Sequence, residues 1–143
     1  MIRQASGSDD GPMQASLGST WRPSWVSEIT AALRSSEAGL QVAVRDKHYV
    51  GFCAYGLNRP QEVGPVRTAP EQRQLGIGSV LLKRSLADQR DRGLTAAELV
   101  WAGPLSYFSR TLHATIGRAF WLYAKDLTAT EQAPDWRDTV GLL

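Results

Sequence analysis

One cysteine, Cys53, and two histidines, His48 and His113, are all the thiol and imidazole that the sequence holds. A lone thiol cannot close an internal disulfide, and two imidazoles far apart in the chain fall short of a zinc ligand set, so no metal is expected. Long apolar runs are missing too. Nothing approaches the ~18 residues that a membrane span needs, and the opening MIRQASGSDDGPMQ has an arginine but no apolar core of signal-peptide length. The expectation is a cytoplasmic protein with no membrane partner. An excess of charge of one sign is also absent: 16 basic against 14 acidic residues leave +2, too balanced for a protein whose affinity would come from neutralising many phosphates. Nucleic acid is not expected, and partners should be small. The five tryptophans are dispersed among predicted elements and not interleaved with a basic cluster, which argues against a stacking platform.

What is present suffices for one domain over residues 1–143, with 43% apolar residues and enough length to bury roughly 70% of the unfolded chain's surface. MIRQA reads as a short opening strand, followed by a turn-rich SGSDDGP and a weakly helical stretch around 12–18. From Pro23, apolar residues at Trp25/Val26, Ile29 and Ala32/Leu33 recur at helical spacing, with an end predicted at Gly39. Leu40, Val42 and Val44 alternate, Asp46-Lys47 forms a polar tip, and His48–Tyr55 returns as the second arm of a hairpin, with Cys53 as a small buried residue. A third strand over 62–68 contains Gly64-Pro65, which predicts a bulge or a break in pairing. Ile77, Val80/Leu81, Leu82 and Leu86 mark the best-defined helix, closed by Gly93. A strand over 96–102, a helix over 104–113 and a last strand over 119–125 follow, and the tail 128–143 is unassigned. A β-meander followed by helix, strand, helix and strand predicts α+β, a mixed sheet with helices on its faces.

The stretch RQLGIGS, residues 73–79, stands directly before that helix. A dinucleotide fingerprint would place a third glycine where Leu81 stands, and a P-loop would have Lys-Ser or Lys-Thr after its last glycine where Ser79-Val80 stands. Two readings survive: a backbone cradle for an anion at the positive end of a helix, or a helix start that uses glycine for its conformational freedom.

The wider segment VGPVRTAPEQRQLGIGSVLL resembles motif A of the GNAT superfamily of N-acetyltransferases, whose signature is Gln/Arg-x-x-Gly-x-Gly/Ala. Arg73, Gly76 and Gly78 fit it, Thr68, Pro70, Glu71 and Arg73 extend the match upstream, and AELVWAGPLSYFSR is similar to the family's fifth strand and following helix. With MIRQAS as the first strand, the resemblance covers residues 1 to about 125. It implies a mostly antiparallel mixed sheet with a V-shaped splay between the fourth and fifth strands. It also implies binding of acetyl-coenzyme A as co-substrate and transfer of its acetyl group to a primary amine of a small molecule or peptide. The alternative is an acyl-coenzyme A-binding module with weak or no transfer.

The resemblance places the pyrophosphate on the loop Gln74, Leu75, Gly76, Ile77, Gly78 and Ser79, with Arg73 nearby, and the pantetheine and acetyl group on Val66, Arg67 and Thr68. Ser106 and Arg110 are further coenzyme contacts on the helix after the fifth strand. Glu62, at the start of the splayed strand, is the candidate base, and Glu98 on the facing strand is the second choice. The family's usual tyrosine, the acid for the leaving thiolate, aligns with Phe108, and Tyr107 lies about 100° away around a helix. Either Tyr107 takes the role, or water does, or transfer is impaired; an alignment one residue over removes the departure. His113 reads as a helix C-terminal cap. Acceptor specificity falls to residues 9–39 and 56–62, with Trp21, Trp25 and Arg59 as candidate lining, although helix packing explains them as well. The oligomeric state stays open, a homodimer being one option, since final strands and exposed tails often pair between subunits in the family.

Overall fold

The computed structural model describes residues 1–17, 23–100, 102 and 105–120. Its elements are β1 (Ile2–Gln4), α1 (Asp10–Leu17), α2 (Pro23–Arg34), β2 (Gly39–Arg45), β3 (His48–Tyr55), β4 (Glu62–Thr68), α3 (Ile77–Asp91), β5 (Glu98–Leu99) and α4 (Leu105–Leu112). The five strands lie in the order β1-β2-β3-β4-β5. The first three pairings are antiparallel and β4–β5 is parallel, giving the mixed, mostly antiparallel α+β sheet. No helix among the described residues is long and apolar enough to cross a membrane.

Period-two alternation divides the apolar residues of β2 and β3 between two cores. Leu40, Val42, Phe52 and Ala54 pack with Met13 of α1 and Ile29 and Ala32 of α2. Ala43, Cys53 and Tyr55 point the other way and join Val63 of β4, Leu81 and Leu82 of α3, and Phe108 of α4. Helices therefore cover both faces. Cys53 is fully buried, and burial pushes its thiol up to about 12, so it is an inert core residue. Asp46 and Lys47 both adopt positive φ (50° and 66°), the backbone that closes a two-residue hairpin without splaying its arms. At the far end of α3, Gly93 is left-handed (φ +90°) and the Leu94 N–H reaches the Gln89 carbonyl at 3.1 Å, a Schellman closure.

Several boundaries depart from the sequence reading. The α2 helix stops at Arg34, because the Ser35 hydroxyl accepts the N–H groups of Glu37 and Ala38 and turns the chain. Gly39 is no helix terminator; it opens β2 opposite Tyr55, whose ring occupies the space that a β-carbon would take. The strand predicted over 96–102 is paired only at Glu98–Leu99. Ala119 and Phe120 carry no strand, and residues 121–125 and the tail 128–143 lie outside the described residues.

The expected irregularity in β4 is a bulge. Cys53 pairs with Val66 and Tyr55 with Val63, so Gly64 and Pro65 together oppose Ala54. Gly64 has φ +133°, a backbone that side chains disfavour, and the Gly64–Pro65 peptide is cis.

Asp9 fastens the chain's start to the sheet. Its buried carboxylate accepts from Arg3 of β1 (2.6 and 2.8 Å), from the Ser6 N–H (2.8 Å) and from the Tyr49 hydroxyl of β3 (2.6 Å). The Arg3 guanidinium, against the opposing cost of burial, holds the Asp9 carboxyl well below the usual carboxylate range. A carboxyl with a depressed folded pKa stabilises the fold above its unfolded pKa of ~3.9 and loses that contribution as pH falls below it. Asp9→Asn is therefore expected to cost about 2–3 kcal/mol at pH 7. In chemical denaturation, the gap between parent and variant should narrow as pH drops below ~4. Gly39→Ala, which forces the Tyr55 ring aside, is expected to cost about 2 kcal/mol in the same measurement.

Candidate active site

The pair β4–β5 holds at only two registers, Glu62 with Glu98 and Val63 with Leu99. Beyond them Gly64-Pro65 breaks the ladder, Pro65 brings no N–H, and the strands part around a cleft of about 1100 Å³. Val63 to Thr68 line one wall, and Leu99, Val100, Ala102 and the aromatic rings of Tyr107 and Phe108 line the other. Where β4 ends, the cleft meets Gln72–Gln74, Gly76, Ile77, Gly78 and Ser79; where β4 begins, it meets Leu57, Asn58 and Glu62. Glu28 and Ala31 of α2 complete the lining. Leu57 packs against the α1/α2 core, which places these helical residues toward the Glu62 end.

The start of α3 faces this space without a cap. The helical ladder begins with Val80 N–H to Gly76 carbonyl at 3.1 Å, leaving the first-turn N–H groups of Ile77, Gly78 and Ser79 outside it, and no side chain caps the helix. Gly76 is left-handed (φ +76°), and a β-carbon there would project into open space. Gly78 is closed in: a β-carbon would lie 3.1 Å from the Tyr107 hydroxyl and 3.4 Å from the Thr68 hydroxyl. The two glycines thus differ in reason, one required by backbone angle and the other by crowding. Open N–H groups at the positive end of a 15-residue helix can receive an anion.

Helical rotation separates Tyr107 from Phe108. Phe108 is buried against the α3 core, with its ring edge-on to Tyr107 at 5.3 Å between centroids. Tyr107 reaches over the first turn of α3, where its hydroxyl and that of Ser79 are hydrogen-bonded at 3.2 Å. The phenol next to the cleft is thus that of Tyr107, one residue before the position suggested by the family pattern.

The two candidate carboxylates are neighbours in register and opposite in circumstance. Glu98 is ion-paired with Arg59 at 2.8 Å and receives Arg118 on both oxygens at 2.9 Å, an arrangement that binds its charge in place. Glu62 is 7% exposed, lines the cleft, and its Oε2 is buried without a hydrogen-bond partner. A buried carboxylate oxygen in this state calls for a hydrogen-bond donor, which a molecule in the cleft can bring.

The remaining predicted residues divide. Val66, Arg67, Thr68, Arg73, Gln74, Gly76, Ile77, Gly78 and Ser79 line the cleft, with the Arg73 Nε donating to the Thr68 carbonyl at 3.4 Å. Leu75 is exposed outside the lining, although its backbone belongs to the loop. Ser106 and Arg110 lie on the exposed side of α4, bonded to each other at 3.4 Å and away from the lining. His113 follows α4 with φ +56° and donates its N–H to the Ser109 carbonyl at 3.0 Å, a terminating residue. Arg59 is committed to Glu98; Trp21 and the Trp25 side chain lie outside the described residues. Sequence reasoning had not singled out Glu28, Ala31 or Asn58, whose positions in α2 and the β3–β4 loop carry no local signal of facing a cleft. Among the described residues, no group of three histidine, cysteine or acidic side chains could hold a metal ion.

Comparison with known proteins agrees with this geometry. No curated protein matches the sequence. Among solved structures, a transcriptional regulator from Bacillus halodurans C-125 has a TM-score of 0.63 at 18% identity, covering 87% of this chain and 99% of that one. A ribosomal-protein-alanine N-acetyltransferase from Brucella melitensis biovar Abortus 2308 has a TM-score of 0.62 at 17% identity, over 87% and 98%. AAC(6')-Iy, in complex with the bisubstrate analog CoA-S-monomethyl-acetylneamine, has a TM-score of 0.64 at 15% identity, over 88% and 97%. At such identities the likeness is one of fold. The acetyltransferase (GNAT) family model matches residues 11–110, from α1 through the splayed strands and the glycine loop to α4. With the matched segment spanning most of the chain and containing the parted strands, the uncapped helix and Tyr107, the chain belongs to the acetyltransferase (GNAT) family.

Proposed function

We propose that this chain, acting as a single domain over residues 1–143, transfers an acetyl group from acetyl-coenzyme A to a primary amine of a small molecule or peptide. The observation that carries the reading is the cleft between β4 and β5. It brings an uncapped helix start, the Tyr107 phenol and the unpartnered Glu62 oxygen into one space. The residues present fit the coenzyme: the N–H groups of Ile77, Gly78 and Ser79 are open to a pyrophosphate, and Gly76 leaves room for its approach. Past the bulge, β4 has no parallel partner among the described residues, so its edge is available to an extended amide chain such as pantetheine, with Val66, Arg67 and Thr68 beside it.

Bound there, acetyl-coenzyme A supplies an activated acetyl thioester. Glu62 takes the proton of the acceptor's ammonium, directly or through one water, leaving a lone pair free to attack the carbonyl carbon. As the new C–N bond forms and the C–S bond breaks, Tyr107 gives its hydroxyl proton to the departing sulfur, and the second proton shed by the new amide nitrogen returns through water to the phenolate. Ser79, bonded to the same phenol, orients it. No covalent enzyme intermediate is needed, and buried Cys53 has no part. The competing idea of a coenzyme-binding module drew on the phenylalanine at the family's tyrosine position; a phenol supplied from Tyr107 supports the transferase instead.

A thiol-release assay on the full chain with a panel of primary amines should give release above the amine-free background, and its absence with every amine would sink the reading. Tyr107→Phe is expected to lower kcat by about 100-fold or more with little change in KM for acetyl-coenzyme A, and Glu62→Gln by a similar factor. Unchanged kcat in either variant removes that residue from its role. Gly76→Val should weaken coenzyme A binding by calorimetry about tenfold or more, with melting confirming that the variant folds.

A further inference from the structure

Resting on the transferase reading, a second property follows from the end of the cleft where β4 begins. That end carries two carboxylates from distant parts of the sequence, Glu62 on β4 and Glu28 on α2. Three cations of this region are engaged by other carboxylates. Arg59 and Arg118 hold Glu98, Arg34 approaches Asp10 at 3.8 Å, and Arg67 and Arg73 lie beyond the bulge toward the glycine loop. Glu28, half-buried, has no hydrogen bond or ion pair among the described residues. Glu62 is more than nine-tenths buried, and its Oε2 has no partner.

Partly desolvated carboxylates without a counter-charge are costly unless something outside the chain meets them. An acceptor with one amino group answers only Glu62 and leaves Glu28 uncompensated. We infer that Glu62 and Glu28 together form a receptor for a dicationic amine, with the reacting ammonium at Glu62 and a second ammonium or guanidinium held by Glu28. Leu57 and Ala31 line the same cleft and offer apolar surface to a methylene spacer, and Asn58 offers an amide to the same space. The second charge acts as a specificity contact. It tightens binding of the acceptor and sets which amino group is presented, and Glu28 itself does no chemistry.

The test is titration calorimetry on the full chain, with and without coenzyme A, using α,ω-diamines of three to six carbons and the monoamine of equal length. A diamine should bind about tenfold or more tightly than its monoamine, above the factor of two that two equivalent ends provide. The preference should shrink as salt screens the pair. Glu28→Gln should reduce the ratio to about two, and Glu28→Lys, with an unchanged melting profile, should take it below one. Equal affinities in the parent, a preference that survives Glu28→Gln, or no detectable binding of any diamine overturns the inference. Thiol release with monoamines separates the two readings: a chain that acetylates monoamines without a diamine preference keeps its transferase function and loses only this specificity.

Discussion

Everything that this fold offers to a ligand depends on a parallel ladder that is only two registers long. Glu62–Glu98 and Val63–Leu99 join β4 to β5, and the next residues, Gly64 and Pro65, cannot continue the pattern. The glycine sits at a positive φ and the proline lacks a donor, so the strands separate instead of zipping. Backbone groups released from the ladder still require partners, and a cleft walled by such groups is predisposed to an extended, amide-bearing molecule. The antiparallel side of β4 stays paired to β3 on both sides of the bulge, which keeps that wall in place.

Around this opening the structure sorts its carboxylates by what surrounds them. Asp9 is consumed by Arg3, Ser6 and Tyr49 at the start of the sheet. Asp88 accepts from Gln41 and Tyr55, both at 2.7 Å, with the Arg92 guanidinium over the Tyr55 ring. Burial pushes the Tyr55 phenol upward, which keeps it a neutral donor to Asp88. Glu98 is neutralised by two arginines. These are fastenings between elements. Glu62, one strand away from Glu98, keeps an oxygen that nothing in its surroundings satisfies. Two acids of one type, paired across β4 and β5, thus acquire different characters from the guanidinium groups around them.

The aromatic pair on α4 shows a comparable division. Consecutive helical residues diverge by about 100°, so two neighbouring rings that both line the cleft meet different partners. Here Phe108 enters the core and Tyr107 remains with Ser79. The apolar ring is better suited to the core, because a phenol buried there would need a hydrogen-bond partner.

The order of elements from β1 to α4, the hairpin with its Asp46-Lys47 tip, the bulge at Gly64-Pro65 and the glycine-led start of α3 were all legible in the sequence. Each is governed by local chemistry: period-two or helical spacing, backbone angles open to glycine, and the missing N–H of proline. The sequence ranked Glu62 ahead of Glu98 as base but could not show what separates them, because they differ in having or lacking Arg59 and Arg118 beside them, and Arg118 arrives from 20 residues away. The length of β5 was overread, since apolar residues over 96–102 do not reveal where a partner strand diverges. Glu28 gave no signal, because a charged residue between Ile29 and Ser27 on a helix reads as solvated until a second element closes over it. By itself the sequence determined most of the elements and the glycine-led start of α3, because these follow from neighbours along the chain. Which carboxylate stays free, which aromatic meets Ser79 and which acids share the cleft's far end were decided only by the tertiary structure, because charge pairing and burial depend on residues that meet through space.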